Sequence, residues 1–354
     1  FMDRRLIGVL ERTMADCCRF RHVVFRDQTE RAVAIACLYC YRLDTTFLLG
    51  GRVKKVAQFF KRLAPWLFQA NLLICGLPLP SGQNSLRIAP EADAATILQQ
   101  LDEVMCSIAI QEGIGRLLIR EFEVDAGEPH ARFRDAGYKQ VPMPPMNHAR
   151  GGYRDFDDFC QQLKSHKRYT INKSRKKFAK AGLQVSHQRG GEGIDRAYSN
   201  DVHHLLEAVA EDKPTLELMP AAFFRELAVA MPDETVFTFI RQEERIVAFG
   251  ASLSGGGAFH QLFVGFNYDL NPRCDLYFNL FFQIVDYSLG QGASDIVLGQ
   301  TSDTFKVQKL GAEQVPHCIY TKKLSRIERW LRRVRQSNAT LRVGPPMRYE
   351  VPVS

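Results

Sequence analysis

The chain carries the same passage twice, and this repeat limits its possible folds more than any other feature. In the first half a helical run ends in "QEG", followed by the extended segment "RLLIREF" and then "FRDAGYKQVP". In the second half a helical run ends in "GQG", followed by "DIVLGQT" and then "VQKLGAEQVP". Gly137 aligns with Gly311 and Pro142 with Pro316, and a difference of five residues falls in the loop between. A shared order of helix, strand and loop points to internal duplication. The unit has strands, a crossover helix and a strand pair near its end. Strands flanking a crossover helix run parallel and connect right-handedly, so the expected class is α/β, a mixed sheet with helices on both faces.

Periodicity fills in the units. "HVVFRD", "RAVAIACLYCYRL", "NLLICGL" and "RLLIREFEV" read as strands, while "KKVAQFFKRLAPWLFQ" and "AATILQQLDEVMCSIAIQEG" read as helices. "VPMPPMNHARGG", residues 141–152, reads as a proline-rich joint. Beyond it, "TVFTFIRQEERIVAFGASLSGGGAFHQLFVGFN" gives three strands, with turns at Gln242–Glu244 and Gly255–Gly257. "LYFNLFFQIVDYSLGQG" is a helix and "SDIVLGQ" a strand. The expected division is 2–150, 151–325 and a basic helical tail at 326–354. Two domains also suit a chain of 354 residues.

The net charge of +8 is concentrated. Lys164 to Lys180 holds eight Lys or Arg and no acid, and Arg326 to Arg342 holds six Arg against Glu328. A localised basic stripe suits a polyanionic partner. The nine cysteines are scattered, and the one CxxC, Cys37 and Cys40, lies inside an apolar run. No second pair stands at zinc-like spacing, so buried free thiols and no metal site are expected. No secretory leader precedes the cysteines and no apolar run reaches the ~18 residues of a membrane span, so a cytoplasmic location without integral membrane contact is expected.

Three stretches carry a family likeness: "LKSHKRYTINKSRKKFAKAG", "LYFNLFFQIVDYSLGQGASDIVLGQTSDTFKVQKLGA" and "ARFRDAGYKQV". The first resembles a basic helix, and the second the last helix with the "G-x-T-S-x-x-[FY]-K-x-x-L-G-A" segment, of tandem GNAT-type acyltransferases of the Fem-like branch. That branch includes peptidoglycan-bridge aminoacyl transferases. The third resembles a common GNAT ending. The resemblance implies two tandem GNAT-like domains, with the site in the second and the first degenerate. Where better-known GNAT enzymes carry a glycine-rich phosphate loop, this chain reads "NYDLNPRCDLYFN", a departure that Fem-like proteins share.

Amide formation needs a neutral amine, donors for the tetrahedral oxyanion, and cations or free N–H groups for the carrier's phosphates. Lys306, at the lysine of the resembled motif, is the candidate for neutralising a phosphate or the charge on the reacting carbonyl. Gln300, Thr301 and Ser302 offer an amide and hydroxyls at a strand's carboxyl end, where open α/β sheets bind ligands. Phe305 and Gln261 complete the expected pocket. Asn271, Arg273 and Tyr277 flank a helix N-terminus suited to phosphate. Arg168, Lys173 and Lys177 match the basic positions of the resembled helix, with Ile171 and Phe178 its buried anchor. His260 is a candidate base, with Glu121 and Asp212 as carboxylate alternatives.

The resemblance, taken with these residues, implies an N-acyltransferase without a tightly bound cofactor, moving an acyl group from coenzyme A or an acyl carrier protein to a small amine. The alternatives are an aminoacyl-tRNA donor, and a non-catalytic pair binding RNA or a partner protein.

Overall fold

The computed structural model describes residues 1–48, 68–124, 127–191, 193–212 and 217–325. The basic tail and nearly all of the helix expected over 54–69 lie outside them.

The first half runs α1 (Arg4–Thr13), β1 (Cys18–Arg26), β2 (Ala32–Asp44), β3 (Gln69–Cys75), β4 (Leu86–Ile88), α2 (Ala94–Gln111), β5 (Arg116–Glu123), α3 (Glu128–Asp135) and β6 (Lys139–Arg150). The second opens with α4 (Phe156–Gln161), α5 (Ser165–Ala179), β7 (Gln184–Arg189), α6 (Ile194–Ala197), α7 (Asn200–Asp212) and α8 (Ala221–Ala230). It continues with β8 (Thr235–Gln242), β9 (Arg245–Gly255), β10 (Ala258–Phe266), α9 (Asn271–Cys274), α10 (Leu276–Gly290), β11 (Asp295–Gly299), α11 (Asp303–Leu310) and β12 (Glu313–Lys323).

The repeat is visible in three dimensions. β3 and β5 run parallel across the crossover helix α2, and β10 and β11 run parallel across α10. Helices α3 and α11 follow the return strands, and both are closed by a left-handed glycine, Gly137 at φ 88° and Gly311 at φ 66°. A residue with a Cβ resists that conformation, which is why the aligned glycines survive in both copies.

The strand pair expected at the end of each unit forms differently. All strands join one sheet, in the order β1-β2-β3-β5-β12-β6-β11-β10-β9-β8-β7, with β4 beside β2. β12 therefore lies between β5 and β6, while β6 lies between β12 and β11. Each half gives its last strand to the other.

The proline-rich joint is part of this exchange, and its reading as a linker is corrected: residues 139–150 form β6. Prolines are excluded from central strands because they lack an N–H donor, but they are tolerated at edges and bulges. Over Lys139–Met146 strand β6 is paired only with β12, and the register slips between Val315 and His317. The three prolines occupy this one-sided stretch.

Three cores follow from the alternation of side chains along the strands. Leu38 and Cys40 join α2 on one face in a core of the first half, which also takes in Cys318 and Tyr320 of the exchanged strand β12. Val236 and Ile240 join α10 and α5 in a core of the second, which also takes in Ala149 of the exchanged strand β6. On the opposite face Tyr39 and Ile74 share one core with Phe224, Phe237 and Phe249, and α1 and α8 close it from the two halves.

Candidate functional site

Parallel strands β10 and β11 stay hydrogen-bonded only over Ala258–His260 and Asp295–Val297. Beyond that they part, and β10 carries a bulge at Gln261–Phe263 in its register with β9. The wedge opens into a cavity of about 520 Å³, walled by Gln261–Val264 on one side and Leu298–Thr301 on the other. The first half contributes Pro78–Pro80, Leu118 and Arg120, the exchanged strands contribute Met143, Pro144 and Ile319, and α7 contributes Leu206 and Val209. The volume suits a small-molecule site at the carboxyl ends of parallel strands.

One end of the cavity is polar. Gly299 (φ 78°), Thr301 (φ 64°) and Ser302 (φ 53°) are left-handed, a conformation that is costly for the last two. Two side chains hold this turn. Lys306, 2% exposed, donates to the carbonyls of Gly299 at 3.1 Å and Gln300 at 2.8 Å. Asn147, fully buried on the exchanged strand β6, donates to Gly299 O at 3.0 Å and Asp303 Oδ1 at 2.9 Å. The Gln300 side-chain nitrogen is buried without a hydrogen-bond partner. Tyr277 and Phe281 line the same end, with the Lys306 ammonium 5.4 Å from the Phe281 ring centre. Burial pushes the Tyr277 phenol up to about 12, against a hydrogen bond with Ser302 that pulls it down.

The far wall holds a charge network that the sequence did not suggest. Arg120 donates to Glu217 at 2.9 Å and to the Tyr39 hydroxyl at 2.9 Å, while that hydroxyl donates to Glu217 at 2.6 Å. The only trace in the sequence is the Arg-Glu pair that interrupts the apolar run "RLLIREFEV". Asn147 left no more than one amide in a proline-rich stretch.

The expected site residues divide. Lys306, Gln300, Thr301, Gln261 and Tyr277 line one cavity. Gln261 is spent on the bulge, accepting from Ser252 at 2.7 Å and donating to Phe263 O at 2.6 Å and Ala251 O at 3.2 Å. Phe305 is buried among Tyr277, Phe278, Phe281 and Phe282, stacked on Phe278 with ring centres 4.5 Å apart, and so belongs to the core. Asn271 caps α10, accepting from Tyr277 N at 2.9 Å.

Lys177 reaches the turn between α9 and α10, donating to Pro272 O at 2.6 Å and Asp275 Oδ1 at 2.8 Å. Lys309 stands nearby with its ammonium 3.9 Å from the Phe278 ring centre, and burial lowers its pKa, with Lys177 adding to the effect and Asp275 opposing it. Arg273 and Lys173 are exposed. Arg168 turns back on its own segment, donating to the carbonyls of Gln161 and Leu163.

None of the three base candidates lines the cavity. His260 packs its ring 4.8 Å from that of Phe1, and burial pulls its pKa down to about 4. Asp212 is exposed and accepts from Tyr268 OH at 3.2 Å. Glu121, at φ 62° in a bulge opposite Ile319, lines a smaller cavity of about 250 Å³. Burial raises its carboxyl above the usual range, while Arg120 and a 2.6 Å hydrogen bond from Ser81 act in the opposite direction.

No helix among the described residues is long and apolar enough to cross a membrane. The cysteines are free thiols, all buried except Cys17.

Among solved structures the fold is similar to that of FemX, with a TM-score of 0.56 at 10% identity, covering 94% of this chain and 93% of that one. L-PGS from Bacillus licheniformis aligns with a TM-score of 0.54 at 13% identity, covering 94% and 96%. A tandem GNAT protein from the clavulanic acid biosynthesis pathway aligns with a TM-score of 0.51 at 12% identity, covering 90% and 87%. At such identities the likeness is one of fold. No curated protein matches. The family model FemAB_like, described as peptidoglycan biosynthesis/recognition, matches residues 72–340. That match spans well over half of the sequence, and the chain belongs to the FemAB-like family, as a tandem GNAT-type member.

Proposed function

We propose that the protein is an N-acyltransferase that takes an acyl group from a thioester carrier and joins it to an amine. The family and fold support an acyl or aminoacyl transferase. The observation that carries the finer reading is the cavity itself, where Lys306, Gln300, Thr301 and Tyr277 meet at one polar end, separated by a largely apolar lining from the self-paired Arg120 and Glu217.

In this reading the thioester carbonyl lies at the polar end. The amine attacks the carbonyl carbon, a C–N bond forms, and negative charge develops on oxygen. The Lys306 cation and the unpartnered Gln300 amide stabilise that oxyanion where little water competes. The C–S bond then breaks, the electron pair leaves on the thiolate, and the ammonium proton passes to the thiolate or to water. No general base is assigned. Lys177, Lys309 and Arg273, near the start of α10, form the cationic approach for a carrier's phosphates.

The experiment is thermal unfolding with coenzyme A thioesters, together with intact-mass analysis of what copurifies. Saturating thioester should raise the melting temperature. If no thioester binds, the reading fails.

A second reading, transfer from an aminoacyl-tRNA, is favoured by α5, which exposes Lys173 and Lys176. Binding through several such cations would weaken steeply as salt rises. A thioester held mainly by the cavity would be less sensitive.

A further inference from the structure

Most of the cavity wall cannot recognise a polar cargo. Between the strained turn and the Arg120–Glu217 pair the lining is aliphatic or aromatic, from Leu118, Leu206, Val209, Leu262, Val264 and Ile319 among others. The polar groups in this stretch are committed elsewhere. Arg120, Glu217 and Tyr39 bond to one another, and the Gln261 amide is tied to Ser252, Ala251 and Phe263. The groups suited to a reacting carbonyl lie within Gly299–Lys306, at one end. A methylene needs about the ~30 Å³ of a water molecule. The 520 Å³ chamber is therefore several times larger than an acetyl group, and an apolar space of that size would be a poor fit for an aminoacyl cargo with its charged ammonium.

We infer that the cargo is a medium-chain acyl group of roughly eight to twelve carbons, its carbonyl at Gln300 and Lys306 and its chain running along the aliphatic wall toward Arg120. This inference rests on reading the cavity as the donor site and adds the class of acyl group.

The test compares decanoyl- with acetyl-coenzyme A by calorimetry, and repeats the comparison with the corresponding N-acetylcysteamine thioesters, which lack the nucleotide. Each buried methylene is worth about a threefold to fourfold gain in affinity. Even with much of that lost, decanoyl should bind at least about 100-fold more tightly than acetyl on either carrier. Val209→Trp and Ile319→Phe narrow the chamber from different walls, and each should cut that ratio to below about 10.

Equal affinity for acetyl and decanoyl thioesters would overturn the inference and leave the thioester reading standing. A decanoyl preference on N-acetylcysteamine without any binding of coenzyme A species would keep the inference and remove coenzyme A as the carrier. Decylamine binding more tightly than either decanoyl thioester would assign the chamber to the acceptor and overturn it.

Discussion

Lys306 serves the turn and, in the proposed mechanism, the reaction. Its ammonium donates to two carbonyls of a left-handed turn and stands at the polar end of the cavity. Lys306→Ala should lower kcat by about 100-fold, as expected when an oxyanion donor is lost, with a native circular dichroism spectrum. A fully active, folded Lys306→Ala would remove the lysine from the mechanism. His260 gives a different prediction. Burial holds it near 4 in the folded chain, against an ordinary 6.5. As pH falls from 6.5 toward 4 the unfolded chain takes up this proton before the folded one, so stability drops across that window, by at most about 3–4 kcal/mol. Urea denaturation from pH 7 to 4 should show a shallower decline for His260→Gln, and parallel slopes would refute the assignment. At this scale the candidate site was legible where its residues are close in sequence. Gln300, Thr301 and Lys306 fall within one turn and one short helix. Arg120, Glu217 and Tyr39 meet only after distant segments pack, so no local pattern announced them. Phe305 was placed in the pocket because an aromatic beside a motif lysine looks the same in sequence whether it lines a pocket or fills a core.

Helix α7 roofs the cavity, and one glycine sets its height. A Cβ at Gly265 on β10 would lie 2.8 Å from the α7 backbone at Leu205 and Leu206, and 2.4 Å from the Phe249 ring. Gly265→Ala must push the helix outward or shift the ring, at a cost of about 1–3 kcal/mol. Leu206 and Val209 ride on that helix and line the chamber, so thioester affinity should fall together with the melting temperature. A variant that lost stability and kept wild-type affinity would show that α7 does not shape the bound state. The other elements show what periodicity can and cannot reveal. Helices α2, α5 and α10 follow their hydrophobic patterns because each turns one stripe toward a core, and β8 to β10 read as strands because their apolar runs fill cores on both sheet faces. β6 escaped because three prolines normally end a strand. That rule assumes neighbours on both sides, and β6 has only β12 beside its prolines.

At the scale of the whole molecule, the repeat made two units legible but not their exchange of final strands. Both arrangements bury the same apolar residues, and the choice depends on which partner's edge each strand meets. The exchange has a consequence for the proposed division at residues 150 and 151. A first half on its own would lack β12 and β11, leaving the edge of β5 unpaired and β6 with neither of its neighbours. A second half on its own would lack β6, leaving β11 and β12 without their shared neighbour, and Asn147 would no longer hold the Gly299 turn. The shared core would also be cut, since α1 packs on α8 and Arg12 bonds Glu226 at 2.9 Å across the halves. Unpaired central strands are strong templates for aggregation. Residues 1–150 and 151–325 expressed separately should therefore be insoluble or molten, while coexpression should recover a soluble complex that binds the same thioesters. The intact chain should unfold in a single transition, with near-UV and far-UV circular dichroism coinciding. A separately folded 151–325 with a sharp thermal transition of its own would mean that the exchanged strands are interchangeable additions to two finished domains. Loss of both halves alone and their recovery together would mean that the cavity exists only because each half completes the other.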